Sequence, residues 1–331
     1  MLSVNPLRPC KNFFASQLGT LAFALILFFF SLASPIASAH EEHGATFSAP
    51  GATIYYEVFG SGAGTPLFVA NGGPGFDHNY LHVSDAWDTL GQSRKIVMWD
   101  QRGTGRSGAL KQGQSCTLAD QINDLDALRA HLGFDKIDLL GHSWGGFLAM
   151  AYAARHAEHI ERLIILDSVP PRWRDIHQLF RDVFPDVVAK MDTYASAANL
   201  KGKGSDAAAE ASLHFYFTML FYSADHRDEF LAKMGNDTEN RNVNQLVIDD
   251  LQHFDLSPEI AKFHFPVLVS VGRFDLDSPP LTAYKIHKAI PGSEFFVFEK
   301  SGHTPFFEEP EKFVQMLNEF LSSAASTSGT Q

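Results

Sequence analysis

The stretch that most restricts how this chain can fold runs from Ile137 to Gly146. Ile137 to Leu140, apolar but for Asp138, reads as a buried strand, and Phe147 to Ala157 reads as a helix. Between them Gly141, Ser143 and Gly145 stand in a Gly-x-Ser-x-Gly pattern. The pattern is that of a sharp strand-to-helix turn, which lifts one serine oxygen above the end of a sheet. So tight a turn requires small residues two before and two after the serine. The helix that follows aims its first N–H groups at the same point, where negative charge can be stabilised.

The rest of the chain repeats the alternation. Ala52–Phe59, Pro66–Ala70, Lys95–Trp99 and Arg162–Asp167 read as strands, and Thr117–Leu132 as an amphipathic helix with Thr117 and Asp120 placed to cap it. Strands apolar throughout and separated by helices predict an α/β fold, a mostly parallel sheet covered on both faces. From about Pro170 to Phe265 the alternation stops. Pro170, Pro171 and Pro185 punctuate the entry, 201–205 is a flexible break, and helical pieces such as Ala207–Ser223 and His226–Met234 predict an inserted helical lid. Strands Pro266–Val271 and Glu294–Phe298 then resume the sheet, and a helix from about Pro310 to Leu321 closes it. The predicted organisation is a leader over 1–39, a core in two parts over 40–169 and 266–331, and a lid over 170–265.

The leader belongs to a different regime. Arg8 and Lys11 precede an almost wholly apolar run from Leu18 to Leu32, and Ala37-Ser38-Ala39 offers the small-x-small pattern of a signal peptidase site. A run of about 15 residues is short of the roughly 20 that span a bilayer. A cleaved export signal is expected, with a membrane anchor over 18–32 as the alternative and membrane contact only in that case. Cleavage before His40 removes two positive charges, taking the formal charge from −12 to −12 − 2 = −14. That acidity argues against nucleic acid as a partner. Cys10 would leave with the leader, and Cys116 would remain alone as an inert thiol, so the exported chain would hold together without a disulfide.

A serine hydroxyl is a poor nucleophile until a base takes its proton, and that base is usually a histidine oriented by a carboxylate. In sheets of this kind the chain order is serine, acid, histidine, each in a loop after a strand. The strand at Pro266–Val271 leads into Gly272-Arg273-Phe274-Asp275, and that at Glu294–Phe298 into Ser301-Gly302-His303. Ser143, Asp275 and His303 are therefore the expected triad, with Asp277 and Asp167 as rival acids. Asn71-Gly72-Gly73-Pro74-Gly75, directly after a strand, offers a backbone arm for an oxyanion hole, nominating the N–H of Gly73 with that of Trp144. The loop Asp100–Ser107 lacks the Gly-Lys-Ser/Thr ending of a phosphate cradle, so Asp100 and Arg102 are expected to fasten it under the site. No metal set is expected, and hydrolysis through an acyl-enzyme requires no cofactor.

Taken together, Gly72-Gly73-Pro74-Gly75, Asp100-Gln101-Arg102-Gly103-x-Gly105-x-Ser107, Gly141-x-Ser143-Trp144-Gly145-Gly146, Gly272-Arg273-Phe274-Asp275 and Ser301-Gly302-His303 resemble the proline iminopeptidase family of α/β-hydrolases. The resemblance covers about 45–170 and 265–322. It implies an α/β-hydrolase fold and a serine peptidase that releases an N-terminal residue, often proline, from short peptides. Two departures stand out. The family usually has histidine at the position of Asn71. Family lids usually supply glutamates beside tryptophans for the substrate's amine, whereas this lid has one tryptophan, Trp173, and no Trp-Glu pair. Glu210 is the expected amine anchor, with Phe215 or Tyr216 as candidates to line a proline site. An esterase or amidase acting on small neutral acyl compounds is the alternative. A binding protein that keeps the fold without turnover is disfavoured by a complete Ser143–Asp275–His303 set.

Overall fold

The computed structural model describes residues 44–199, 205–234 and 239–322. The leader and the break at 201–204 lie outside them. Eight strands form one sheet in the order β1-β2-β4-β3-β5-β6-β7-β8. They are β1 (Gly44–Ala49), β2 (Ala52–Phe59), β3 (Leu67–Ala70), β4 (Ile96–Trp99), β5 (Ile137–His142), β6 (Ile160–Leu166), β7 (Val267–Gly272) and β8 (Glu294–Phe298). The β1–β2 and β2–β4 pairs are antiparallel, and every other pair is parallel. The strands from β3 to β8 thus present their C-terminal ends on one edge, and that is where crevices for chemistry form in such sheets.

Side chains on a strand alternate between faces, so a strand covered on both sides is apolar along most of its length. In β3, Phe68 and Ala70 enter one apolar cluster, while Leu67 and Val69 enter the other. The first cluster is closed by α2 (Leu118–His131), α3 (Trp144–Arg155) and α10 (Pro280–Ala289). The second is closed by α1 (Ala86–Gly91) and α12 (Pro310–Ser322). In α12, Phe313, Met316, Leu317, Phe320 and Leu321 recur at three- and four-residue spacing, and all are buried against the sheet. At the start of α2 the Thr117 hydroxyl accepts from the Asp120 N–H, and the Asp120 carboxylate accepts from the Thr117 N–H, a complete capping box.

Between β6 and β7 the chain forms α4 (Phe180–Val183), α5 (Pro185–Asn199), α6 (Ser205–Thr218), α7 (Ala224–Met234), α8 (Arg241–Leu251) and α9 (Ser257–Ile260). Val243, Val247 and Leu251 bury one stripe of α8, and the Asn240 side chain caps it by accepting from the Asn242 and Val243 N–H groups. Together these helices stand over the C-terminal edge of the sheet. Among the described residues no helix is long and apolar enough to cross a membrane.

Candidate active site

The serine turn is built as its glycines require. A Cβ on Gly141 would lie 2.1 Å from the Gly145 carbonyl oxygen, and one on Gly145 would lie 2.1 Å from that of Ala70. Neither position tolerates a larger residue without moving backbone. Ser143 itself adopts φ +58 and ψ −124, a strained conformation for a residue with a Cβ, and it stands immediately before α3. Trp144 is therefore the first residue of α3, and its backbone N–H belongs to the end of the helix that carries partial positive charge. The expected helix start at Phe147 is three residues late because Gly145 and Gly146 are poor helix formers on propensity alone, and packing overrides propensity here.

Asp275 follows β7 and His303 follows β8. The Nδ1–H of His303 donates to Asp275 Oδ2 at 2.8 Å. Asp275 Oδ1 accepts from the backbone N–H groups of Asp277 (2.8 Å) and Ser278 (3.0 Å). Burial works against a charge on Asp275, but the charge and hydrogen bond of His303 and the Ser278 N–H outweigh it and hold the carboxyl below its usual range. The same balance acts on His303. Burial pulls it down, whereas the Asp275 charge and hydrogen bond, then Asp277 and Asp167, push it up to about 9. With Nδ1 committed to Asp275, Nε2 is the nitrogen left for proton transfer. His303, Ser143, Gly72 and Gly73 all line one small cavity at the sheet edge.

The rival acids occupy other places. Asp167 is fully buried at φ +46, and its Oδ1 accepts from the Gly272 N–H at 2.8 Å. Burial, then the Asp275 charge, push its carboxyl well up. Asp277 lies on the opposite side of the imidazole, its Oδ2 3.7 Å from His303 Nε2. Tyr216 Oη and Gln178 Nε2 donate to it at 3.0 and 2.7 Å, and burial raises its pKa. Of the three, Asp275 alone bonds the imidazole through Nδ1.

A chain of hydrogen bonds ties the serine turn to both flanking loops. His142 Nε2–H donates to the His303 carbonyl at 2.8 Å, so His142 Nδ1 accepts from Tyr80 Oη–H at 2.7 Å, and Tyr80 Oη accepts from the Gly72 N–H at 2.6 Å. Burial, followed by the charge of His303, lowers the pKa of His142 to about 3, which keeps this ring neutral. Because the Gly72 N–H is taken, Gly73, at φ +124, is the glycine of the pair left to face the site. Asn71 replaces the expected histidine without loosening the loop. Its Nδ2 donates to the carbonyls of Gly72, Phe76 and Asp77, and its Oδ1 accepts from Gln101 Nε2. Gln101 in turn accepts from Trp144 Nε1 at 2.9 Å. Below them Arg102 forms a two-pronged pair with Asp124, both bonds 2.7 Å.

Beside Ser143 opens a larger cavity of about 480 Å³. Apolar side chains such as Phe76, Val169, Trp173 and Met191 make up much of its wall, and Glu239 and Asp277 are its carboxylates. Glu239 accepts from Asn244 Nδ2 at 2.6 Å, and burial, only partly offset by Asn244 and Arg241, pushes its pKa up to about 7. Glu210, the expected amine anchor, is exposed on α6 and does not line this cavity. The reason is rotational: α6 turns Ala209, Ser212 and Leu213 inward, which leaves position 210 outward. Tyr216 lines both cavities, while Phe215 stacks on Tyr194 with ring centres 5.7 Å apart. Sequence reading missed Glu239 because it sits in a loop just before α8, where no periodicity marks a facing residue. Its one signal was the Asn240 cap that follows.

The sheet order, the serine turn and the inserted lid define an α/β-hydrolase, and the model of the alpha/beta hydrolase fold family matches residues 65–310. A proline iminopeptidase of Clostridium botulinum is 32% identical over 283 residues, 81% of this chain and 94% of that protein. One from Saccharolobus solfataricus is 29% identical over 288 residues, 83% of this chain and 91% of that protein. The chain belongs to the proline iminopeptidase family of α/β-hydrolases. Among solved structures, an alpha/beta fold family hydrolase from Bacillus anthracis superposes with a TM-score of 0.70 at 21% identity, covering 84% of this chain and 98% of that one. A proline iminopeptidase from Mycobacterium smegmatis does so with a TM-score of 0.62 at 24% identity, covering 84% and 97%.

Proposed function

We propose that this protein is an aminopeptidase that releases an N-terminal residue, proline above all, from short peptides through an acyl-enzyme on Ser143. The observation that carries the reading is the pair of carboxylates, half-buried Glu239 and buried Asp277, in the wall of the cavity that opens at Ser143. Burial is costly to a carboxylate; Arg241 offsets that cost only partly at Glu239, and a protonated substrate amine supplies further counter-charge. The distances agree. In an amino acid the amine nitrogen lies roughly 2.5 Å from the carbonyl carbon, so an anchor for it must stand close to the reacting centre. Asp277 does, at 3.7 Å from His303 Nε2.

In this reading, His303 Nε2 takes the proton of Ser143 Oγ as the oxygen attacks the carbonyl of the first residue. Asp275 stabilises the imidazolium that forms. The N–H groups of Gly73 and Trp144 receive the negative oxygen of the tetrahedral intermediate. The imidazolium then protonates the leaving amine, water enters, and the same base drives deacylation. The apolar wall beside Trp173 and Val169 suits a pyrrolidine ring, which has no further polar group to satisfy. A prolyl anilide with a free amine, compared with its N-blocked twin and a short-chain nitrophenyl ester, tests the assignment. Turnover of the free-amine anilide alone supports it, and cleavage restricted to the ester replaces it with an esterase. Export is part of the same proposal, supported by Arg8, Lys11, the apolar run over 18–32 and Ala37-Ser38-Ala39.

A further inference from the structure

Outside the active site one cluster of side chains has the composition and spacing of a metal centre. His78 and His82 flank the short turn after the glycine loop, and Glu57 reaches them from β2. One nitrogen from each histidine and one carboxylate oxygen lie within 4.8 Å of one another. Glu57 Oε2 is 3.5 Å from His78 Nε2 and 3.0 Å from His82 Nε2. In a tetrahedral zinc site with bonds of about 2.0–2.1 Å, neighbouring ligand atoms stand about 3.3 Å apart. The two observed separations bracket that edge.

The surroundings are built in the same sense. His78 is fully buried, and its Nε2 makes no hydrogen bond. Its other nitrogen, Nδ1, is held by Asp100 Oδ1 at 2.5 Å. A carboxylate behind a histidine, fixing its tautomer and turning the free nitrogen toward the ion, is the usual support of a metal ligand. The first oxygen of Glu57 is already engaged, accepting from Tyr55 Oη at 2.8 Å and from Arg106 Nη2 at 2.9 Å, so the second is the one turned to the imidazoles. Two carboxylates, Glu57 and Asp100, face the two imidazoles, and the guanidinium of Arg106 engages the first oxygen of Glu57. Glu57 and His82 are partly exposed and give an ion a path from solvent.

We propose that Glu57, His78 and His82 bind a divalent transition-metal ion of the zinc type, with a fourth position left to solvent. The ion would fasten β2 to the turn behind the glycine loop. The expectation of no metal set rests on reading the chain as free of His-x-x-x-His, His-Glu-x-x-His and cysteine pairs; His78-Asn79-Tyr80-Leu81-His82 has the first of these spacings and corrects that reading. The inference does not depend on the peptidase reading.

The test uses untagged mature protein, stripped with a chelator and titrated with Zn2+ by calorimetry, with His40 and His43 changed to Ala to remove a competing pair in the tail. One Zn2+ per chain is expected, together with a higher melting temperature. His82→Ala and Glu57→Gln are each expected to weaken binding by about tenfold or more, with metal-free melting curves confirming that the variants fold. His156→Ala, which removes a ligand from the other histidine group at Asp126, His156 and His159, should leave binding unchanged. No saturable binding, binding indifferent to His82→Ala, or binding lost with His156→Ala would each overturn the proposal.

Discussion

At the scale of single residues, catalysis depends on Ser143 and His303, and amine binding on Glu239. Ser143→Ala should lower kcat by on the order of a million-fold with an unchanged circular dichroism spectrum, and retained turnover would move the nucleophile elsewhere. His303 must be neutral to act as a base. Because Asp275 and its neighbours outweigh burial and raise its pKa to about 9, activity should fall as pH drops through that raised value rather than near the ordinary ~6.5. The rate of inactivation by a serine-directed phosphonate reads this without a titrating substrate amine. A rate flat between pH 6 and 9 would contradict the assigned base. Glu239→Gln keeps the bond to Asn244 but removes the charge, so KM for a free-amine prolyl anilide should rise by about tenfold or more, the ordinary worth of one charged hydrogen bond. Hydrolysis of a neutral ester should change little. Equal effects on both substrates would remove Glu239 from amine binding.

At the scale of elements, much of the site is legible before any coordinates. Ala52–Phe59 and Glu294–Phe298 coincide with β2 and β8, because a β-branched or aromatic run ending in a loop is a local signal. Gly141 and Gly145 announce the turn because only glycine fits their contacts. That predicts a concrete cost: Gly141→Ala, whose Cβ would meet the Gly145 carbonyl at 2.1 Å, should destabilise the fold by about 3 kcal/mol, the upper end of what overpacking costs. Urea unfolding measures it, and a loss under 1 kcal/mol would mean the turn can open. Thr117→Ala should remove about 1 kcal/mol by deleting the α2 cap. What stayed illegible depends on rotation and on distant partners. α6 carries Glu210 at a position with no local mark of facing outward, and β1 is recognisable only through its pairing with β2. His78 and His82 gain their meaning from Glu57, some twenty residues earlier.

At the scale of the molecule, the parallel strands β3 to β8 set the C-terminal edge and the helices between β6 and β7 cover it, so the lid decides which substrates reach Ser143. The cavity's two carboxylates, Glu239 from the loop before α8 in the lid and Asp277 from the core loop after β7, suit a cationic end group on the substrate. The export proposal is checked by sequencing the N-terminus of protein recovered from outside the cytoplasm. A start near His40 supports it, and an intact Met1 in a membrane fraction would favour the anchored form over 18–32. The most direct test of the central claim is the ratio of kcat/KM for a free-amine prolyl anilide to that for its N-blocked twin. An aminopeptidase anchored by Glu239 and Asp277 predicts a ratio of at least about a hundred, as expected when two charged partners are lost together. A ratio near one, with Ser143 still required, would mean that the cavity does not bind an amine and that the enzyme cleaves neutral acyl compounds.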